Sequence, residues 1–323
     1  MSHLPNTNVW YKTLRIRRGS RFSYQLAPND RPGETHYTAQ TDPLNPRVAY
    51  GDSSIVETPD APDESWYART PVVRGSITKH SLESSLLKKR RDVSVYTPPG
   101  YSPSSGPYPL LILFDGQSQL DGRMQAPNTL DNLIAAHRIR PPVVCFVSDN
   151  RGVDREQTQT YSSAMATELV PWLRSSYAIS ADPKDVVIGG YSAGGGAAGV
   201  TAFYYPGVFG NVLLQSGGIQ VLVPLLMNAS KLPVRFYLDQ GLYEYGPTWA
   251  ALSPDEQAVE GWFDEGIPPQ GQNWLLRARL LRTVLQAKGY DAQYHETGGG
   301  HEFVHWRATL AEGLMALLGP SNK

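Results

Sequence analysis

Residues 185–199 read DVVIGGYSAGGGAAG: an apolar run, a serine between glycines, and a run of small residues. The apolar run predicts a buried strand, and the small residues after Ser192 predict a helix that packs closely on a sheet. A tight turn between the two lifts a serine hydroxyl out of the sheet, where a histidine can activate it. The positive end of the helix dipole then lies below any oxyanion that forms there. A glycine-rich loop with a solvated serine is the alternative, but the position between strand and helix favours a nucleophile.

Strand-like apolar runs alternate with helical patterns from residue 91 onward. The strand-like runs are 92–96, 110–114, 143–147, 186–189, 212–215, 234–239 and 293–295. The helical patterns are 128–137, 162–175, 192–203, 274–288 and 302–318. The strand-like runs contain few polar residues, as expected for strands covered on both faces. This order predicts an α/β fold with a doubly wound, mostly parallel sheet over residues 91–323.

Residues 1–90 have a different character. Strand-like pieces at 9–16 and 21–26 are joined at Gly19, and a stretch rich in proline and aspartate follows them. We expect a small β-sandwich-like module here. The basic run 88–91 is interpreted as the solvated edge of a strand rather than a nucleic-acid contact, because an apolar alternation continues after it.

The composition argues against several classes of protein. Hydrophobic residues make up 41% of the 323 residues and charged residues 18%, which is typical of a globular chain. The net charge of −1 indicates no nucleic-acid partner and no anionic membrane surface. The single cysteine, Cys145, lies in an apolar run and is expected to be a buried, unpaired side chain. No signal-peptide pattern and no membrane-length apolar stretch is visible, so we expect a soluble cytoplasmic protein, with its oligomeric state left open.

A nucleophilic serine needs a base, an acid that orients the base, and donors for the oxyanion. In this type of fold the acid and then the histidine follow the serine along the chain. We predict His301, which follows three glycines, as the base, and His305, one helical turn further, is the alternative. Asp239, at the end of a strand, and Glu244, in the turn after it, are both candidates for the acid.

The predicted oxyanion donors are two backbone N–H groups. One belongs to Ala193, directly after the nucleophile, and the other to Gln117, in the turn after the strand 110–114. Asp115 lies in the same turn and is predicted to contact the substrate.

Two arginines and a long connection are the other candidates for substrate contact. Arg151 and Arg155 follow a strand at the edge where such sheets bind ligands, and they could hold an anionic or catechol-like group. A solvated loop with internal ion pairs explains them equally well. The connection 240–270 is rich in aromatic residues and is either a lid beside the acid or a packed extra helix.

Six short segments, spread over nearly the whole chain, resemble one known family. They are DPLNP at 42–46, YTPPGY at 96–101, LFDGQ at 113–117, the turn at Ser192, FG with QSG within 209–217, and GGHE with WR within 299–307. Together they resemble the enterochelin esterases, siderophore hydrolases in a larger group with feruloyl esterases, acetylxylan esterases and mycolyltransferases. The resemblance implies an α/β-hydrolase fold, with Ser192 as nucleophile and His301 as base. Relatives often carry the acid three residues past a glycine, which maps to Gly241 and Glu244, and other relatives work with a Ser–His dyad.

The resemblance also implies ester hydrolysis through an acyl-enzyme. No metal or other cofactor is required, because any iron would arrive with a ferric siderophore substrate. The chain departs from the family in a short N-terminal module, in the loosely matching arginine segment, and at 218–221, where aromatic residues are replaced. Since these places shape the substrate pocket, an esterase of acylated sugars or phenolic esters is the second hypothesis. A hydrolase-like binding protein without turnover is the third.

Overall fold

The computed structural model describes residues 2–11, 13–28, 38–49, 53–148, 158–217, 219–244 and 274–320. The strands in this part of the chain are β1 (Ser2–His3), β2 (Trp10–Tyr11), β3 (Arg21–Tyr24), β4 (Val48–Ala49), β5 (Ser53–Glu57), β6 (Ser76–Ser84), β7 (Lys89–Thr97), β8 (Leu110–Leu113), β9 (Val143–Val147), β10 (Val186–Tyr191), β11 (Asn211–Gln215), β12 (Arg235–Gly241) and β13 (Ala292–Thr297). The helices are α1 (Ser65–Ala68), α2 (Gly116–Leu120), α3 (Ala126–Ala135), α4 (Thr158–Ala164), a π-helical turn (Met165–Leu169), α5 (Val170–Ser176), α6 (Ser192–Tyr204), α7 (Ile219–Asn228), α8 (Trp274–Ala287) and α9 (Phe303–Leu318), with short 3-10 turns at Pro103–Ser105 and Pro183–Asp185.

An eight-stranded sheet in the order β13-β12-β11-β10-β8-β9-β7-β6 forms the centre of the fold. The strands from β13 to β9 in this order run parallel, whereas β7 and β6 are antiparallel to their neighbours. The chain order reverses around β8, and the carboxyl ends of β8, β10, β11 and β12 meet at one edge. Ligands bind at such an edge in open α/β sheets.

Helices cover both faces of this sheet. Side chains alternate along β10: Val186 and Ile188 pack with α4 to α8, whereas Val187 packs with α3 and α9. All three are fully buried, and burying each apolar side chain of this size contributes about 1.5–3 kcal/mol. Burial on both faces explains why the strands read as continuous apolar runs. The expected α/β fold with a doubly wound, mostly parallel sheet is confirmed.

Cys145 lies in the middle of β9 and is fully buried, as predicted. Its burial raises the pKa of the thiol, because the thiolate is poorly solvated there. No helix in the described ranges is both long enough and apolar enough to cross a bilayer.

The N-terminal part forms two small sheets, one of β1 and β2 and one in the order β3-β5-β4. The expected strand 9–16 is wrong for most of its length, since only Trp10–Tyr11 is a strand and it pairs with β1. Leu14 is exposed, so this stretch lacks the packing that would hold a longer strand.

The basic run 88–91 also differs from the expectation. Its residues 89–91 lie in β7 and pair there with β6, which is the edge strand, while the pairing of β7 with β9 begins at Val93. Arg91 is buried, with its guanidinium 4.9 Å from the centre of the Tyr161 ring. The residues 76–84, grouped with the N-terminal module in the sequence, pair with β7 along their whole length.

Candidate active site

Ser192 lies at the junction of β10 and α6 and has a φ of 52°. This left-handed conformation is uncommon for a residue with a side chain and stores strain. The glycines around it permit a close approach of helix and sheet. A Cβ on Gly190 would lie 3.0 Å from the carbonyl carbon of Gly194, and one on Gly195 would lie 2.9 Å from Cα of Gly217. The first turn of α6 therefore sits directly against the ends of β10 and β11, and the serine is only half-buried.

His301 comes from the segment between β13 and α9, 109 residues later in the chain. Its Nε2 lies 2.8 Å from Oγ of Ser192, and its side chain remains 29% exposed. The ring centre of Trp274 lies 5.3 Å from that of His301, and Trp306 meets the imidazole edge-on at 5.0 Å. The imidazole is thus fixed between two indoles while one side stays open to a ligand.

Glu244 completes a chain of hydrogen bonds behind the imidazole. Its Oε2 accepts from Nδ1 of His301 at 2.8 Å, and its side chain is fully buried. Its Oε1 accepts from the N–H of Gly241 at 3.1 Å and from the hydroxyl of Ser216 at 2.5 Å. The indole Nε1–H of Trp306 in turn donates to Ser216 at 2.9 Å. With Nδ1–H directed at the carboxylate, Nε2 of the neutral imidazole is free to accept the serine proton.

The structure pairs Asp239 with His305 rather than with His301. Oδ2 of Asp239 lies 3.2 Å from Nε2 of His305, and the hydroxyl of Thr309 donates to the same oxygen at 2.5 Å. Both members of the pair are almost fully buried. Burial alone would lower the pKa of His305, but the nearby Asp239 carboxylate outweighs it and the pKa is raised. Of the two candidate pairs, this one lies inside the protein, away from the open side of the serine.

The turn that carries the acid and the segment that carries His301 are hydrogen-bonded to each other. The N–H of Leu242 donates to the carbonyl of Thr297 at 2.8 Å, and that of Tyr243 donates to the carbonyl of Gly299 at 3.0 Å. These bonds extend the parallel pairing of β12 and β13 beyond the sheet. The relative position of carboxylate and imidazole is therefore fixed by backbone as well as by side chains.

The predicted oxyanion donors lie on two neighbouring turns at the same edge. Ala193 is the second residue of α6, and Gln117 is the second residue of α2; β8 and β10, which lead into these helices, are paired. N–H groups in the first turn of a helix have no partner within that helix. A Cβ on Gly116 would lie 2.9 Å from the backbone of Phe146, so glycine lets α2 approach β9.

Asp115, the predicted substrate contact in this turn, is buried, with a φ of 58°. Its Oδ2 faces the first turn of α6, where a Cβ on Gly194 would meet it at 2.6 Å. Arg151 and Arg155 lie outside the described residues, as do Gly218 and positions 245–270 of the long connection.

Sequence reasoning missed the residues that hold Glu244 and His301 in place. Ser216 is a neutral residue at the end of β11, with a φ of 48°, and Trp306 lies on α9. Trp274, at the start of α8, gave no signal beyond being aromatic. Ser216 and Trp306 lie within the segments that resemble the family, and this was the one signal available for them.

Comparisons with known proteins show the family of this chain. The family model described as "Putative esterase" matches residues 84–317, and the model "Enterochelin esterase, N-terminal" matches residues 1–67. Among curated proteins, the iron(III) enterobactin esterase of Dickeya dadantii is 26% identical over 357 aligned positions, which cover 98% of this chain and 79% of that protein.

Solved structures show the same fold. The ferric enterobactin esterase of Salmonella typhimurium superposes with a TM-score of 0.76 at 23% identity, covering 98% of this chain and 83% of that one. The ferulic acid esterase of Anaeromyces mucronatus gives a TM-score of 0.59 at 13% identity, covering 80% of this chain and 96% of that one. The "Putative esterase" model covers more than half of this chain, and the enterochelin esterase model covers its N-terminal residues, so the chain belongs to the esterase family of carboxylic ester hydrolases that includes the enterochelin esterases.

Proposed function

We propose that this enzyme hydrolyses ester bonds of a catecholate siderophore through an acyl-enzyme on Ser192. The observation that carries the proposal is the unbroken chain from Ser192 through His301 to Glu244, with both links at 2.8 Å. Three such groups in contact are what acyl transfer through a serine requires.

The steps follow from the positions of the protons. Nε2 of His301 takes the hydroxyl proton as Ser192 attacks the ester carbonyl, and Glu244 stabilises the imidazolium that forms. The N–H groups of Ala193 and Gln117 are the proposed donors to the oxyanion. His301 then protonates the leaving alcohol, and a water molecule activated by the same imidazole releases the acid.

The choice of a siderophore ester rests on the N-terminal module. The relatives that cover nearly all of this chain are iron(III) enterobactin and salmochelin esterases, and the N-terminal residues match a family model of enterochelin esterases. One solved relative was crystallised with 2,3-dihydroxy-N-benzoyl-serine, an aromatic amide of the type a siderophore fragment contains. The proposed substrate is therefore a ferric trilactone or one of its linear serine esters, with the iron carried by the substrate.

The second candidate is an esterase of phenolic or acylated-sugar esters. It is supported by an endo-1,4-beta-xylanase/feruloyl esterase that aligns with 82% of this chain at 26% identity. The N-terminal module favours the siderophore, because residues 1–67 match the N-terminal model of enterochelin esterases.

A substrate panel separates the candidates. We would measure kcat/KM for ferric enterobactin, for its linear serine ester, for methyl ferulate and for p-nitrophenyl acetate, with Ser192→Ala as the control. We expect the catecholate esters to be hydrolysed best and Ser192→Ala to lose about three orders of magnitude or more with an unchanged melting temperature. A clear preference for methyl ferulate would refute the proposal that the substrate is a siderophore ester. Near-normal hydrolysis by Ser192→Ala would refute the role of Ser192 as nucleophile. Failure of a fluorophosphonate to label Ser192 would favour the hypothesis of a hydrolase-like binding protein without turnover.

A further inference from the structure

The outer edge of β3 in the N-terminal module lies along the segment that carries His301. β3 is the end strand of its sheet. Its N–H at Arg21 donates to the carbonyl of Gly298 at 2.7 Å, next to a parallel bridge between Ser20 and Gly298. The next N–H on this edge, at Ser23, donates to the two carboxylate oxygens of Glu302 at 3.1 and 3.0 Å. His301 therefore lies between two points that are anchored to β3.

The Glu302 carboxylate is committed to this contact. The hydroxyl of Ser23 also donates to it, at 2.5 Å. Glu302 is the N-cap residue of α9, yet its side chain makes no hydrogen bond to the first turn of that helix. N-caps favour Ser, Thr, Asp or Asn, so the helix itself does not explain a glutamate here. The contact with Ser23 does.

β3 also contacts the turn that carries the acid. The hydroxyl groups of Ser20 and Tyr243 are 2.8 Å apart, and the ring of Phe22 packs edge-on against that of Tyr243 at 5.6 Å. Tyr243 directly precedes Glu244 in the chain. One strand of the small module thus touches both segments from which the predicted acid and base arise.

We propose that Glu302, held by Ser23 of the N-terminal module, is a positioning residue for His301. This inference rests on the proposed role of His301 as the base. The Nε2–Oγ distance of 2.8 Å depends on where residues 298–302 lie, and the adjacent residue, Glu302, is the side chain that ties them to β3. A displacement of about 1 Å in such a segment can reduce the rate about a hundredfold. The module therefore acts on the chemical step, independently of any contact with substrate.

The test compares Ser23→Ala and Glu302→Ala with Ser23→Thr, which keeps the hydroxyl. The matched control is Asp60→Asn, which removes a carboxylate of the same module that pairs with Arg18 on the surface. The substrate is p-nitrophenyl acetate. Active sites are counted by complete reaction with a fluorophosphonate, so that kcat refers to folded enzyme, and melting temperatures are recorded.

We expect kcat per active site to fall about ten- to a hundredfold in Ser23→Ala and Glu302→Ala, with KM changed less than about twofold. Ser23→Thr should recover most of kcat, and Asp60→Asn should equal the wild type. An unchanged kcat in Ser23→Ala, or an equal loss in Asp60→Asn, would overturn the inference. Ser192→Ala, measured alongside, keeps the two proposals apart: if it is inactive while Ser23→Ala is fully active, only the positioning role fails.

Discussion

The identity of the orienting acid can be tested by removing the charge from each of the two buried carboxylates. Glu244→Gln keeps the size of the side chain, and its amide oxygen can still accept from Ser216 and from the N–H of Gly241. The charge beside His301 is lost. Asp239→Asn does the same beside His305. Each variant is therefore the control for the other.

The expected loss in Glu244→Gln follows from the imidazolium that forms in the transition state. With charge centres about 4 Å apart and an effective dielectric constant of about 20, the carboxylate stabilises this cation by about 4 kcal/mol. A barrier higher by about 4 kcal/mol lowers kcat roughly a thousandfold. The amide NH₂ would also face Nδ1 and favour the tautomer whose Nε2 is protonated and cannot accept from Ser192, so a thousandfold is the lower bound.

The assay is steady-state hydrolysis of p-nitrophenyl acetate, with active sites counted by fluorophosphonate. Asp239→Asn should reduce kcat by less than about tenfold, while unfolding free energy falls by about 3–5 kcal/mol, because a buried pair loses one charge. Equal and small losses of kcat in both variants would refute the role of Glu244 and favour a dyad. A larger loss in Asp239→Asn would transfer the role to that residue.

Two more outcomes follow from the buried pair and the glycine beside it. Gly299→Ala should destabilise the fold by about 1–3 kcal/mol and lower kcat, because its Cβ would lie 2.2 Å from Nδ1 of His305. In the control Gly207→Ala the new Cβ would have no neighbour within 4 Å, and an equal loss there would contradict the steric argument. The pKa of His305 is raised against its burial, chiefly by Asp239, so the stability it contributes is complete below about pH 6.5 and is lost as the pH rises through the raised value. The difference in unfolding free energy between wild type and Asp239→Asn, from urea denaturation, should therefore be larger at pH 6 than at pH 9, and the reverse order would contradict the ion pair.

The pattern of apolar residues was sufficient to predict most strands of the large sheet. Strands such as 143–147 are apolar on both faces and are bounded by turns, so their length and type follow from burial alone. The strand 76–84 was not predicted, because it is an edge strand with most of its side chains exposed. Helix α7 was not predicted, because Pro224 lies inside it and proline is read as a helix breaker.

The N-terminal module was less predictable for a related reason. Its strands are two to five residues long, and strands this short are set by what they pack against rather than by their own pattern. The partner of β3 is the segment 298–302, more than 270 residues away in the chain. Local periodicity contains no information about a contact of that range.

The sequence left open which histidine is the base and which carboxylate is the acid. The structure shows two histidine–carboxylate pairs, His301 with Glu244 and His305 with Asp239. His301 and His305 are four residues apart, but His301 lies before the N-cap of α9 and His305 lies in its first turn. Asp239 lies in β12 and pairs with His305. Glu244 lies in the turn beyond β12 and pairs with His301. What separates the pairs is exposure. The His301 side chain is 29% exposed and reaches the serine, whereas His305 is almost fully buried and closed off from any substrate. Of the two pairs, the outer one is therefore the pair that fits the proposed proton transfer from Ser192.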